Sequence, residues 1–189
     1  MTASTFTLAT LATALGALAL ASPVQAGEPT PVFGAFAAVC GGSGANFAAV
    51  RAAADAHGWG PTDVQPDPSM ASVTVADQMS RASTVDKKSL VLSAWGGQTK
   101  TGVKVSDCAV HAAATDFAAL RDDATSWLTF APAESTDRKA VFRFTAEGAV
   151  LRALTPAEFD AAAGGAGLEI LTVSGDANGT VLDLMMIKK

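Results

Sequence analysis

The N-terminal 26 residues constrain this chain most, because they decide which part of it folds. They contain no Asp, Glu, Lys or Arg, and an apolar run over residues 8–21 leads to Val24, Gln25 and Ala26. A short apolar run followed by a small residue is typical of a cleavable secretory signal peptide. The alternative is a membrane anchor, which needs about 20 apolar residues, more than this run supplies. We therefore expect cleavage near Ala26, a periplasmic or secreted location, and a single domain over residues 27–189.

The charge of the chain argues against nucleic acid as a partner. All 13 basic and 18 acidic residues follow the apolar segment, so the mature domain carries the full net charge of −5. Lys and Arg form no stripe, and phosphate neutralisation supplies most of the affinity in nucleic-acid binding. No second apolar run is long enough to cross a bilayer. We expect a soluble domain without a stable membrane anchor, whose partner is an unknown envelope protein, peptide or small molecule.

The only two cysteines are Cys40 and Cys108. Exported proteins mature where disulfides persist, so these two are expected to pair. Closing a loop of about 70 residues would stabilise the fold by roughly 4 kcal/mol. The alternative is a nucleophilic cysteine with His57 or His111 as its base. His111 lies three residues after Cys108 on a predicted strand and so faces the other side of it, whereas Cys40 with His57 stays open.

Residue patterns predict an α+β fold: an antiparallel sheet built from hairpins, with about three helices and one disulfide. Helices are expected after the caps Asn46, Thr115 and Thr155, the last supported by Pro156 and Glu158. Residues 70–88 are ambiguous and give at most a short strand at 72–75. The remaining strands are expected at residues 90–95, 103–111, 140–146, 150–154, 168–173 and 181–187.

Motifs for metal binding and phosphate binding are missing from the sequence. His57 and His111 stand far apart, and there is no His-x3-His or Cys-x2-Cys spacing, so we expect no metal site and no cofactor. The Gly41–Gly44 segment lacks the Lys and Ser/Thr of a phosphate-binding loop. It is expected to be a turn beside the disulfide.

Three residues outside these motifs are candidates for a site. Asp183 stands inside an apolar strand, and we favour a position on the solvated face, opposite Leu182 and Leu184. Otherwise it is buried, with a partner and a shifted pKa. Trp59 and Trp95 stand at the ends of predicted elements, where indoles either line a binding surface or cover the core.

One longer arrangement resembles a known group of proteins. It consists of Phe36-x3-Cys40, an Ala-rich helix that ends at His57-Gly58-Trp59, and Cys108. This arrangement is similar to that of small exported alphaproteobacterial proteins of unknown function. The resemblance covers residues 36–110 and implies a periplasmic address and a Cys40–Cys108 bridge, but it carries over no activity.

Two functional classes remain. A non-enzymatic binding or envelope-associated module is favoured, because catalysis usually needs a titratable group shifted by a partner, and few are evident here. The alternative is a periplasmic hydrolase with carboxylate or Ser/Lys chemistry, drawing on acids such as Asp55 or Asp183; its catalytic residues are unknown. A cleft with two converging carboxylates would favour the hydrolase. An apolar concave surface rimmed by Trp59 or Trp95 would favour the binding module.

Overall fold

The computed structural model describes residues 27–63, 72–113, 115–147, 150–162 and 167–188. The expected signal peptide lies outside these residues. Within them the chain forms four α-helices and one short 3-10 helix, Gly41–Ser43. The α-helices are α1 (Pro31–Val39), α2 (Phe47–Ala56), α3 (Phe117–Leu128) and α4 (Pro156–Ala162).

The described residues contain nine strands, numbered β1 to β9 along the chain, with the ranges given at the end of this paragraph. They form one antiparallel sheet in the order β1-β2-β3-β4-β9-β8-β6-β5, and β7 also pairs with β6. The C-terminal strand β9 lies between β4 and β8 and so joins the two halves of the sheet. The α+β class and the antiparallel sheet agree with the sequence-based expectation. The strands are β1 (Gly60–Pro61), β2 (Val73–Val85), β3 (Lys88–Thr99), β4 (Lys104–Ala112), β5 (Glu134–Ser135), β6 (Lys139–Glu147), β7 (Val150–Ala153), β8 (Leu168–Gly175) and β9 (Thr180–Lys188).

Helix α1 corrects the expected number of helices from about three to four. The Thr30 hydroxyl caps it by accepting a hydrogen bond from the Phe33 N–H, and Pro31 follows at the first position, where its missing N–H costs nothing. The helix is apolar almost all round, so it lacks the polar face that makes an amphipathic helix visible in a sequence. It buries Val32, Phe33, Phe36 and Val39.

The other helices begin close to the predicted caps. The Asn46 side chain accepts a hydrogen bond from the Ala49 N–H at the start of α2. Before α4, Thr155 and Glu158 form a reciprocal capping box, as predicted. The predicted Thr115 cap is wrong by one residue, because the Asp116 carboxylate accepts the first N–H groups of α3.

Strand β2 is far longer than the short strand expected at residues 72–75. It pairs with β3 along its whole length, with a bulge between Val75 and Asp77. The two strands meet at Asp86 and Lys87, which have φ values of 50° and 63°. Positive φ at both central residues is typical of a tight hairpin turn that usually contains Asn or Gly. A turn without glycine hides the hairpin in the sequence.

The sheet has two different faces. Helices α1, α2 and α3 cover one face, and the main core lies between them and the strands. The predicted disulfide is confirmed here: Cys40, directly after α1, is bonded to Cys108 on β4. The bond leaves neither thiol free as a nucleophile. No helix in the described part of the chain is long and apolar enough to cross a membrane.

We call the opposite side of the sheet the second face. The odd-numbered residues of β4 and β9 lie on it, because Cys108, Leu182 and Leu184 face the main core. Much of this face is also shielded from solvent. It buries Trp95, Val105, Ala109, Val141 and Leu168.

Candidate functional site

Four polar side chains surround Ala109 on the second face, and we call them the carboxyl cluster: Ser93, Asp107, His111 and Asp183. Asp107 and His111 stand two residues from Ala109 on β4. Ser93 on β3 and Asp183 on β9 are its direct cross-strand partners. Residues two apart on a strand and residues directly opposed share one face of a sheet. The small central side chain therefore leaves room for four polar groups to converge.

Asp107 and Asp183 form a hydrogen-bonded carboxyl pair. Burial, reinforced by the charge of Asp183 and by the hydrogen bond, raises the pKa of Asp107 to about 9. Burial also raises the pKa of Asp183, while the bond from Asp107 and the charge of His111 lower it. The pair therefore loses its first proton from Asp183, and the protonated Asp107 donates to the resulting carboxylate. This is the arrangement expected when two acids sit too close to ionise together.

Asp183 is the residue for which the favoured expectation of a solvated position is wrong. It does lie opposite Leu182 and Leu184, as predicted, but its Oδ1 atom is buried and has no hydrogen-bond partner among the described residues. The physical reason is that the second face is shielded at this point. Asp183 as a whole is half-buried and has a partner and a raised pKa, so the structure is nearer to the alternative than to a fully solvated side chain.

Polar groups continue from the cluster across the sheet. Ser80 on β2 is paired with Ser93, and Thr172 on β8 is paired with Asp183. The Ser80 hydroxyl is buried and, like Asp183 Oδ1, has no partner in the described chain. Native proteins leave few such groups unsatisfied. Both unpartnered atoms found in the described residues therefore belong to one row of side chains on the second face.

His111 forms the end of the cluster away from Asp107. Its Nε2 atom lies 3.5 Å from the Ser93 hydroxyl. Partial burial of the ring lowers the pKa of His111, and the charge of Asp183 opposes this effect. Burial therefore favours the neutral imidazole, and the neighbouring Asp183 favours the charged one. A pocket of about 330 Å³ opens beside it, between β3, β4 and the turn before β9.

A second pocket, of about 300 Å³, opens on the other side of Asp183, and we call it the β6–β8 pocket. Its wall is fixed by Arg143, which is paired with Glu134 and whose guanidinium lies 5.3 Å from the centre of the Phe159 ring. Arg143 thus has a partner for its charge, whereas Asp183 has a buried acceptor atom without one. The pocket is lined by Glu134, Lys139, Val141, Arg143, Phe159, Ile170, Thr172, Asp183 and Met185.

Of the other candidates from the sequence, Trp95 lies near the carboxyl cluster, and Trp59 and Asp55 lie elsewhere. Trp59 is 6% exposed and belongs to the main core, while Trp95 is 2% exposed and lies on the second face, directly opposite Asp107. Asp55 is an exposed residue of α2 with Arg81 at 3.9 Å. The structure brings Trp95 and Asp183 into one region and leaves Trp59 and Asp55 outside it.

Sequence reasoning missed Asp107, Ser93 and the partner of His111. Asp107 and His111 are four residues apart on a predicted strand, so the sequence alone predicts that their side chains lie on the same face. The pairing of β4 with β9 was not readable, because more than 60 residues separate Ala112 from Thr180 along the chain. That pairing alone brings the two carboxyl groups together.

Comparisons with protein-family models, with curated proteins and with solved structures find no match to this chain. The function is therefore argued from the geometry of its own residues.

Proposed function

We propose that this protein is an exported, non-enzymatic binding module whose β6–β8 pocket takes a small ligand with an apolar body and a hydrogen-bond donor. The observation that carries the proposal is the buried, unpartnered Oδ1 of Asp183, a residue that lines this pocket. An acceptor left without a partner costs about 1–3 kcal/mol. A donor on a ligand would recover this energy.

The rest of the lining defines the class of ligand. Val141, Ile170, Met185 and the Phe159 ring supply apolar surface, and pockets of this size are typical of small-molecule sites. Arg143 is already paired with Glu134 and Lys139 is exposed, so the buried group of the lining that lacks a partner is the acceptor Asp183. An amine suits the site better than a carboxylate does. The disulfide fits an exported protein, since disulfides persist outside the cytosol.

Titration calorimetry with three probes of one shape tests this proposal: benzylamine, benzyl alcohol and toluene. Affinity should fall from benzylamine to benzyl alcohol to toluene, which is the order of their strength as hydrogen-bond donors. Asp183→Asn should weaken benzylamine binding about 10- to 100-fold, the range for a hydrogen bond to a charged group. Asp160→Asn, an exposed carboxylate on α4, is the matched control and should change nothing. Equal affinities for the three probes, or no binding of any, would contradict the proposal.

A hydrolase is the second candidate, and the contact between Asp107 and Asp183 favours it. Glycosidases separate their two carboxyl groups by about 5–9.5 Å, so a hydrogen-bonded pair does not fit that chemistry. It fits the shared-proton pair with which some peptidases activate water. Under this hypothesis a peptide panel is cleaved by the mature protein. Asp107→Asn and Asp183→Asn should each abolish the cleavage, while Asp160→Asn retains it.

A further inference from the structure

A separate pocket of about 480 Å³ lies at the end of the sheet beside the start of α2, and we call it the glycine pocket. Its floor is Gly96-Gly97 on β3, next to the bulge in β2. A Cβ on Gly97 would stand 2.5 Å from the Thr74 carbonyl oxygen, so the close strand contact requires glycine here. A Cβ on Gly96 would stand 3.5 Å from the Phe47 side chain. The absence of a side chain at Gly96 leaves the space beside Phe47 open, because successive residues of a strand face opposite sides of the sheet.

The glycine pocket has apolar surface from Phe47 and Met186 and two lysines among its polar lining residues; the other polar lining residues are Asn46, Asp77, Gln98 and Ser106. Phe47 from α2 is half-buried, and Met186 from β9 is 7% exposed. Lys104 on β4 is directly opposite Lys188 on β9, and both line the pocket. Like charges directly opposed on a sheet repel each other. An anion between the two ammonium groups would remove this repulsion.

The surrounding carboxylates do not already neutralise the two lysines. Neither lysine amine lies within 4 Å of a carboxylate of the described residues. The ion pairs found among those residues are all formed by arginines. Asp77 is the acidic residue in the described lining. Buried Glu169 interacts with Lys188 from the neighbouring strand β8. The rim therefore retains a cationic position at Lys104.

We propose that the glycine pocket binds a free medium-chain monocarboxylate, with the carboxylate between Lys104 and Lys188 and the chain over Gly96-Gly97 against Phe47 and Met186. Charge complementarity selects this occupant over an uncharged amphiphile, and the apolar walls select it over a small anion. The glycine pocket is distinct from the β6–β8 pocket, because the two pockets share no lining residue among the described residues.

Titration of the full mature chain with decanoate, decanol and acetate tests the inference. Decanoate should bind at least about tenfold more tightly than either of the others, since each loses one of the two contacts. Lys104→Gln and Lys188→Gln should each weaken decanoate binding about threefold to fivefold, as exposed ion pairs do, and leave decanol unchanged. Lys100→Gln, on the nearby loop and outside the pocket, is the matched control.

Two further variants test the glycine pocket independently of the proposed function and show whether a loss of binding is due to misfolding. Gly96→Val fills the floor and should abolish decanoate binding, while circular dichroism reports whether the variant folds. Asp183→Asn should leave decanoate binding unchanged, so failure at one pocket says nothing about the other. Equal binding of decanoate and decanol, loss of affinity in Lys100→Gln equal to that in Lys104→Gln, or no binding would overturn the inference.

Discussion

Asp107→Asn should stabilise the folded protein at neutral and alkaline pH. Burial and the neighbouring Asp183 raise the pKa of Asp107 from 3.8 to about 9. Between these two values the folded state holds a proton that the unfolded chain has released. The sign follows from this difference: the contribution of Asp107 to stability is complete below about pH 4 and is lost as the pH rises to about 9. An Asn side chain has the same shape and donates to Asp183 without needing a proton.

The size of the effect at pH 7 follows from the difference between this pH and the ordinary pKa of an aspartate. One pKa unit corresponds to 1.36 kcal/mol, so the interval from 3.8 to pH 7 is worth roughly 4 kcal/mol. Part of this cost remains in the variant, because Asp183 is still buried beside residue 107. We expect the free energy of unfolding to rise by about 1–4 kcal/mol at pH 7.

Urea unfolding of the disulfide-intact mature chain between about pH 7 and pH 8.5 measures this gain. His111 contributes little to the slope in this window, because its ordinary pKa of 6.5 lies below the window and burial lowers the folded-state pKa further. The wild-type free energy of unfolding should fall by about 1.4 kcal/mol per pH unit, and this slope should shrink in Asp107→Asn. Asp160→Asn should keep the wild-type slope. A wild type with no slope, or an Asn variant that is less stable at pH 8.5, would refute the reasoning.

Three further predictions concern the fold and the export of the chain. Cys40→Ala with Cys108→Ala should lower the free energy of unfolding in urea by roughly 4 kcal/mol, because the bond joins residues 68 positions apart. Gly97→Ala should lower the melting temperature by several degrees, since its Cβ would stand 2.5 Å from a backbone oxygen of β2; Gly42→Ala, which meets open space, is the control and should not. N-terminal sequencing of periplasmic material should begin at Gly27, and a full-length chain in the membrane pellet would contradict cleavage.

Local chemistry explains which parts of the fold were readable from the sequence. The caps at Asn46 and Thr155 act within one helical turn, so their side-chain spacing alone identifies them. The strands at residues 140–146 and 181–187 alternate with a clear period of two. The disulfide was predicted from the expected export and from the count of two cysteines. These signals depend on neighbours along the chain.

Features that depend on distant residues were missed. Helix α1 is apolar almost all round because it lies against the sheet and two other helices, and burial on several sides removes the helical period. The hairpin of β2 and β3 turns at Asp86 and Lys87, a pair that does not mark turns in general. The alternation of the strand predicts the correct face for Asp183, but the side chain is half-buried there and its Oδ1 atom is buried. Neither its burial nor its contact with Asp107 has a local signal.

The two functional hypotheses make opposite predictions for Asp107→Asn, and this variant separates them. In the binding module Asp107 only donates a hydrogen bond that orients the Asp183 carboxylate. Asn can donate the same bond, so benzylamine affinity at neutral pH should stay within about threefold of the wild type. In the hydrolase the proton shared by the pair must move during turnover, and an amide cannot take part in that transfer. Retained binding together with an absence of peptide cleavage by the wild type would establish the module. Cleavage that Asp107→Asn abolishes in a folded, more stable protein would establish the enzyme instead.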